Sequence, residues 1–282
     1  MKCLRPQIRS NAKQFVIGVE DLVHETAMLA SLDHPNIIKL YGRAGCSVGT
    51  ARGLTLSDGY FILIDRLKDT LEDRINAWKT AQGGGAVVPS LSQVKTACTL
   101  SGALSYLHSK NIMFRDLKPA NVGFDSMGVL KLFDFGFAIG LNNRDGEDEL
   151  LYDACGTPRY MAPEVALGAG YGLPADVHSF GILLWEICSL KKPFAKIKTH
   201  AEFQKTVYER GGRPKLSKYW PPILKDILKN SWHSFPEARP SMEAVKCTLG
   251  AYERDMTAMP QQNGQRHANK FRNSTIFRRL SS

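Results

Sequence analysis

The 282-residue sequence has no uninterrupted apolar run near the roughly 18 residues that a membrane-spanning helix needs. Its first residues, Met1 to Pro6, also lack the apolar stretch of a secretory signal peptide. Both absences argue against an integral membrane or secreted protein, so no membrane partner is expected. The six cysteines form no pair at metal-binding spacing, which indicates reduced thiols in a cytoplasmic protein, with the nucleus as the alternative compartment.

Acidic residues are missing from residue 260 to the end, although that stretch contains five bases: Arg266, Lys270, Arg272, Arg278 and Arg279. The whole chain carries a net charge of +10, from 37 basic and 27 acidic residues. Half of the excess therefore lies in the tail. This basic tail is the only feature that favours an RNA-binding domain, so nucleic acid is not expected as the main partner. Because the tail has few large apolar groups, residues 255–282 are predicted to be disordered.

Two local absences concern glycine and hydroxyl groups. No G-x-G-x-x-G string occurs in the chain, and the nearest is Gly168-Ala169-Gly170-Tyr171-Gly172. Between Gly136 and Gly156 there is no Ser or Thr, and Tyr152 is the one hydroxyl. The chain thus lacks the usual Gly-rich phosphate-binding loop, and one polar segment lacks Ser and Thr as modification sites.

The most informative stretch that is present runs from Ile112 to Phe124. Its apolar ends predict two short buried strands, and between them stand Arg115, Asp116, Lys118 and Asn121. Four polar groups fixed between two apolar anchors indicate a functional site rather than a solvated turn. A further strand follows and ends in Asp134-Phe135-Gly136.

This pair of segments resembles the catalytic loop and the metal-binding loop of eukaryotic protein kinases. The resemblance implies that Asp116 accepts the proton of the substrate hydroxyl and that Lys118 stabilises the transferring phosphoryl group. It also implies that Asn121 and Asp134 hold Mg²⁺, with ATP as the phosphoryl donor. Phe114 stands where the family usually has His, and an aromatic ring there is expected to pack beneath the metal loop.

The first part of the chain resembles a kinase small lobe. An amphipathic helix is predicted over Val19 to Leu32, and strands over Ile37 to Tyr41 and Tyr60 to Asp65. The resemblance makes Glu25 the partner of an ATP-contacting lysine, which would be Lys2. Arg66 to Lys68 would be the hinge, where Asp65 and Leu67 border the adenine and backbone groups bind it. Residues 43–58 are predicted to be a surface insertion.

The second part resembles a helical large lobe. Helices are predicted over Asp69 to Ala81, Ser90 to Ser109, Asp176 to Ile187 and Ile223 to Trp232. The resemblance implies that buried Asp176 accepts from the backbone of the catalytic loop. It also implies that Arg239 pairs with Glu164 of the substrate-docking segment, Cys155 to Glu164. The closing series Trp232, Pro236, Arg239 and Pro240 matches the tyrosine-kinase-like branch.

The expected fold is therefore α+β and two-lobed, like a protein kinase, with a truncated small β lobe and a mainly helical large lobe. The predicted divisions are a partial small lobe over residues 1–67, a large lobe over 68–254 and the basic tail. If Lys2 is the ATP lysine, the chain begins within the small lobe, as a fragment or as a naturally shortened kinase. A frayed Lys2 and a missing hairpin would make ATP binding weak and turnover slow.

The expected activity is transfer of the γ-phosphate of ATP to Ser or Thr hydroxyls of protein substrates. The rival hypothesis is a pseudokinase or scaffold that keeps the fold but has little turnover, because no loop covers the phosphates. Three regulatory hypotheses accompany these readings. In the first, a carboxylate, with Asp153 as the candidate, takes the place of a phosphate beside Arg115. In the second, Cys155 is either a redox switch or a small buried residue. In the third, Ser281 is either a phosphorylation site or part of an inert tail.

Overall fold

The computed structural model describes residues 2–3, 12–43, 61–83, 88–144 and 147–258. The predicted surface insertion, apart from Arg43, and the basic tail beyond Ala258 lie outside these ranges, as does Ser281. Within the described ranges, no helix is both long and apolar enough to cross a membrane.

Among the described residues, the small lobe contains a three-stranded antiparallel sheet and one long helix. The strands are β1 (Lys2–Cys3), β2 (Leu40–Arg43) and β3 (Phe61–Ile64), in the order β1-β3-β2. Helix α1 (Ala12–Ala30) covers the sheet by packing Leu22 on the fully buried Ile62. The predicted start of this helix at Val19 was wrong by seven residues, because Ala12, Lys13 and Gln14 are themselves good helix formers.

The predicted strand over Ile37 to Tyr41 forms only from Leu40 onward. Ile37 makes a parallel bridge to Leu132, and the Ile38 amide donates to the Leu132 carbonyl at 2.9 Å. The backbone of this segment is therefore used to join the small lobe to the strand that leads into Asp134. The segment between α1 and β2 therefore joins the small lobe to the large lobe beside the metal loop.

Seven further α-helices lie in the described part of the large lobe. They are α2 (Leu71–Ala81), α3 (Leu91–Ser109), α4 (Pro163–Leu167), α5 (Pro174–Ser189), α6 (His200–Phe203), α7 (Pro222–Ser231) and α8 (Met242–Ala258). Ser90 caps α3 in a capping box with Gln93, which explains why this boundary was predictable. The apolar α5 is the centre of the lobe, and nearly all of its side chains are buried.

Short strands carry the polar loops. They are β4 (Asp69–Thr70), β5 (Ile112–Met113), β6 (Val122–Phe124), β7 (Leu130–Leu132), β8 (Ile139–Gly140), β9 (Asn143–Arg144) and β10 (Glu147–Asp148). β4, β6 and β7 form one antiparallel sheet, and β5 pairs with β8. The two strands predicted around the polar loop, β5 and β6, are thus present, and each is tied to a neighbour that follows the metal loop or precedes it.

Candidate active site

Asp116 lies at the centre of a dense set of hydrogen bonds. Its side chain is only 4% exposed. The Asn121 amide nitrogen donates to its Oδ2 at 3.0 Å and to its backbone carbonyl at 2.9 Å. Lys118 Nζ lies 2.6 Å from Oδ2, and the Thr157 hydroxyl donates to Oδ1 at 2.7 Å. Both carboxylate oxygens are thereby oriented, and the carboxylate can act as a positioned proton acceptor.

The loop keeps this geometry because its neighbours on the buried side are fixed. Asp176, at the start of α5, accepts from the Phe114 amide at 2.7 Å and from the Arg115 amide at 2.9 Å, which confirms its predicted role. The fully buried Phe114 ring meets Phe135 edge to face, with 5.1 Å between ring centroids. An aromatic residue therefore does fill the position beneath the metal loop.

Asp134 and Asn121, the two residues predicted to hold metal, are on adjoining segments. The Phe133 amide donates to the Asn121 carbonyl at 3.0 Å, and this bond fixes the spacing of the two segments. Asp134 has a left-handed backbone conformation with φ of 68°, and its carboxylate is 46% exposed. The described residues contain no cluster of three or more His, Cys, Asp or Glu side chains suited to a metal.

Lys2 reaches this same carboxylate. Its Nζ lies 2.6 Å from Glu25 Oε2 and 2.8 Å from Asp134 Oδ1. Burial lowers the pKa of Lys2, but attraction to Glu25 and hydrogen bonds to both acids outweigh burial, so the pKa is raised and the side chain stays charged. The expected pairing of Lys2 with Glu25 is confirmed.

The fraying of Lys2 stays a prediction, because β1 lies at the edge of its sheet among the described residues. β1 is paired on one side, with β3 through Lys2 and Ile62, and this pairing supports the backbone of Lys2. Glu25 is 3% exposed and also accepts from the Phe135 amide at 3.3 Å, so the small-lobe helix, the lysine and the metal loop form one connected unit.

The two hinge-side residues have structural contacts of their own. The Asp65 carboxylate accepts from the Lys39 amide and the Tyr41 hydroxyl, each at 2.9 Å, and lies 3.3 Å from Lys131. Burial raises the pKa of Asp65, but these partners outweigh burial and lower it. Leu67 packs on Gly123, where an added Cβ would lie 2.5 Å from a Leu67 methyl group. The Asp65 side chain is thus occupied, and adenine binding by the hinge backbone stays a prediction.

Thr157 and Tyr171 were not identified as site residues from the sequence. Thr157 comes next to Gly156, whose φ of 102° and close approach to the Arg115 carbonyl leave no room for a Cβ. The Gly-Thr pair was a usable signal for Thr157. Tyr171 had no such signal, because its partners Arg115 and Asp153 are distant in sequence.

Arg115, Asp153 and Tyr171 form a hydrogen-bonded cluster that holds the segment after the metal loop. This cluster is called the latch below. Arg115 Nη1 donates to both oxygens of Asp153, at 3.0 and 2.8 Å, and the Tyr171 hydroxyl donates to the Asp153 carbonyl at 2.9 Å. Burial raises the pKa of Asp153, but the hydrogen bond from Tyr171 and the charge of Arg115 outweigh burial and lower it. The predicted pairing of Arg115 with Asp153 is confirmed, whereas its effect on activity stays a prediction.

Cys155 and the Glu164–Arg239 pair complete the docking segment. Burial raises the pKa of the Cys155 thiol, which disfavours the thiolate and supports a structural role rather than a redox switch. Arg239 binds Glu164 through both terminal nitrogens, with Nη2 at 2.9 Å from Oε2, and both residues are buried. This ion pair confirms the predicted link between the docking segment and the last helices.

Several curated proteins are similar to this chain. A probable serine/threonine-protein kinase of Dictyostelium discoideum is 30% identical over 238 residues, which cover 83% of this chain and 13% of that protein. The dual specificity protein kinase shkA of the same organism is 30% identical over 235 residues, covering 81% of this chain and 41% of shkA. The dual specificity protein kinase shkB is 38% identical over 143 residues, covering 50% of this chain and 22% of shkB.

The chain thus spans less than half the length of each of these relatives. A family model described as the protein kinase domain matches residues 1–248, which is most of the sequence. The motifs around Asp116 and Asp134 lie inside that match. This chain belongs to the protein kinase family.

Proposed function

We propose that this chain is a protein kinase that transfers phosphate from Mg-ATP to Ser or Thr hydroxyls of protein substrates. The observation that carries the proposal is the arrangement around Asp116, whose two carboxylate oxygens are held by Asn121, Lys118 and Thr157. Phosphoryl transfer depends almost entirely on positioning and charge stabilisation, and this arrangement provides both.

In this proposal each residue has a separate task. Asp116 accepts the proton of the substrate hydroxyl, and Thr157 and Asn121 hold it in the orientation that this requires. Lys118 brings a positive charge to the place where the phosphoryl group passes. Lys2, held by Glu25, contributes a second positive charge from the small lobe.

The residues present fit the nucleotide and metal that the family uses. Asn121 donates its amide nitrogen to Asp116, and its amide oxygen is the atom that a metal would take. Asp134 offers a part-exposed carboxylate. Mg²⁺ is commonly held by one or two such oxygens together with substrate phosphates, so no larger protein cluster is needed. When bound, ATP supplies the phosphoryl group and Mg²⁺ neutralises its charge.

The Ser/Thr preference and the branch are part of the proposal. A lysine two residues after the proton acceptor and a Gly-Thr pair in the docking segment both resemble Ser/Thr kinases, and here Lys118 lies 3.1 Å from the Thr157 hydroxyl. The series Trp232, Pro236, Arg239 and Pro240 supports the tyrosine-kinase-like branch. Two of the similar proteins are named dual specificity kinases, so the acceptor hydroxyl is the point to measure.

The test is incubation with radiolabelled ATP, Mg²⁺ and a panel of generic proteins, followed by phosphoamino-acid separation. We expect phosphoserine and phosphothreonine, formed about 10²–10⁴ times more slowly by an Asp116→Asn variant. Phosphotyrosine in comparable amount would contradict the Ser/Thr assignment.

One sequence feature favours a second candidate, a pseudokinase or scaffold with a truncated small lobe. No G-x-G-x-x-G string covers the phosphates within these 282 residues. Tight Mg-ATP binding without phosphotransfer to any protein in the same assay would favour this candidate over the enzyme.

A further inference from the structure

A basic surface borders the substrate-docking segment. Four lysines lie within the nine residues that follow α5, with no acid between Glu186 and Glu202. The lysines are all exposed: Lys191, Lys192, Lys196 and Lys198. Lys192 pairs with acids, but among the described residues Lys191, Lys196 and Lys198 have no ion-pair partner. These three residues are called the lysine patch below.

The lysine patch is held against the docking segment by contacts of the residues around it. The Arg159 guanidinium donates to the Pro193 carbonyl, and the Tyr208 hydroxyl donates to the Pro158 carbonyl at 2.8 Å. Phe194 and Ile197, which alternate with the lysines, pack on the cluster of Phe203, Val207 and Tyr208. The apolar side of the loop is therefore half-buried against the large lobe, and its lysines face solvent.

Two hydrogen bonds connect the loop that carries this surface to Asp116. The Thr157 hydroxyl bonds Asp116, and Arg159, which contacts the lysine-bearing loop, is two residues further on. Two residues span at most about 7 Å. A peptide with its hydroxyl at Asp116 and its backbone along the docking segment would bring side chains a few positions away past the lysine patch.

The two acids that flank the lysine-bearing loop in sequence are engaged in other contacts. Glu186 is 3% exposed and accepts from the Tyr160 hydroxyl at 2.6 Å, and Lys192 lies between it and Glu72. Glu202 accepts from the backbone amides of Lys198 and Thr199 in a capping box at the start of α6. The charge offered to an incoming peptide is therefore mainly positive.

We propose that this surface selects acidic protein substrates, with Asp or Glu within a few residues of the acceptor hydroxyl. The inference rests on the kinase function proposed above and adds its substrate class. Exposed charges of one sign raise the rate of encounter with a complementary partner and disfavour partners of like charge. Basic sequences around the acceptor are correspondingly poor substrates.

The test uses fluorescent serine peptides that differ only in flanking glutamate, alanine or lysine. Binding is measured by anisotropy, and kcat/KM with radiolabelled ATP. The variant Lys196→Glu/Lys198→Glu reverses two exposed patch charges, and Lys95→Glu/Lys229→Glu on α3 and α7 makes the same charge change at exposed positions elsewhere. We expect the glutamate peptide to bind about tenfold more tightly than the alanine peptide, since each surface charge pair contributes modestly.

The patch variant should lose this preference, the control variant should keep it, and added salt should weaken it in the unmodified chain. Equal binding of the glutamate and alanine peptides overturns the inference. It is also overturned if single-stranded RNA displaces the peptides fully from these lysines and the glutamate peptide binds no more tightly than the alanine peptide. Patch-dependent binding of the glutamate peptide without phosphorylation of any peptide supports the docking surface and contradicts the kinase activity instead.

Discussion

At the scale of single residues, the proposed reaction depends most on Asp116. Replacement by Asn keeps the shape of the side chain and removes the proton acceptor. We expect kcat to fall by about 10²–10⁴, the usual contribution of a positioned general base. ATP affinity and the free energy of unfolding should change little. Asp226→Asn, at an exposed position on α7, is the matched control and should keep full activity.

Thr157 allows a sharper test, because its hydroxyl both donates to Asp116 and lies 3.1 Å from Lys118. Thr157→Ala removes that link, and we expect kcat to fall about tenfold, less than the roughly 10²–10³ lost with a group that stabilises the transition state directly, because Thr157 only orients Asp116 and Lys118. Thr157→Ser keeps the hydroxyl and should restore most of the rate. If the Ala and Ser variants were equally slow, the methyl group rather than the hydroxyl would be what matters.

At the scale of elements, the Arg115–Asp153–Tyr171 latch predicts activity without loop phosphorylation. The folded pKa of Asp153 lies below its usual value near 4, so the stability that it provides is present above that pH and is lost only as the pH falls through the lower, folded pKa. A phosphate would titrate near pH 6. The pH profile of kcat should therefore show no inflection from the latch between about pH 5 and 8.

The same latch gives a mutational test. Asp153→Asn should lower kcat/KM, and Asp153→Glu should recover part of it, because only the second keeps a charge for Arg115. Phosphatase treatment and Tyr152→Phe should leave the rate unchanged, since Tyr152 is the one hydroxyl between Gly136 and Gly156. A large fall after either treatment would show that loop phosphate is needed.

The Glu164–Arg239 pair joins α4 to the segment before α8. Arg239→Ala would leave the Glu164 carboxylate buried and unpaired, and such losses cost about 3–5 kcal/mol. We expect a decrease of that size in the free energy of unfolding in urea. Arg210→Ala, at an exposed position, serves as the control and should have an effect below about 0.5 kcal/mol.

At the scale of the whole molecule, the question is how completely the small lobe encloses ATP. Lys2 is held by Glu25 and Asp134, but no G-x-G-x-x-G string of the kind that covers ATP phosphates occurs in these 282 residues. We expect weak ATP binding and slow turnover by this chain. An upstream extension that supplies a Gly-rich hairpin should raise kcat by about 10²–10³.

The matched control is Asp134→Asn in the extended chain, which should abolish the gain. If the 282-residue chain phosphorylates protein as fast as the extended one, the hairpin is unnecessary. ATP affinity measured by calorimetry on both chains then separates binding from turnover.

The sequence by itself indicated the protein kinase family and the mixture of helices and strands, and it named most of the residues that the structure brings together around Asp116. This information lies in short-range patterns. Two apolar segments flank the four polar residues of the catalytic loop, and Asp134-Phe135-Gly136 follows shortly after them. The capped helix from Ser90 was predictable for the same reason, because capping is local. The first turns of α1 were not predicted.

Only the tertiary structure decided which distant groups meet. Thr157 reaches Asp116 across 41 positions, and Tyr171 joins Arg115 and Asp153, because β5, the docking segment and α5 converge on one loop. The role of the Asp65 carboxylate was likewise decided by contacts with Lys39 and Lys131, which no local pattern encodes. A hydrogen bond requires separations near 3 Å, and for residues far apart in sequence only the packing of the whole chain fixes those distances.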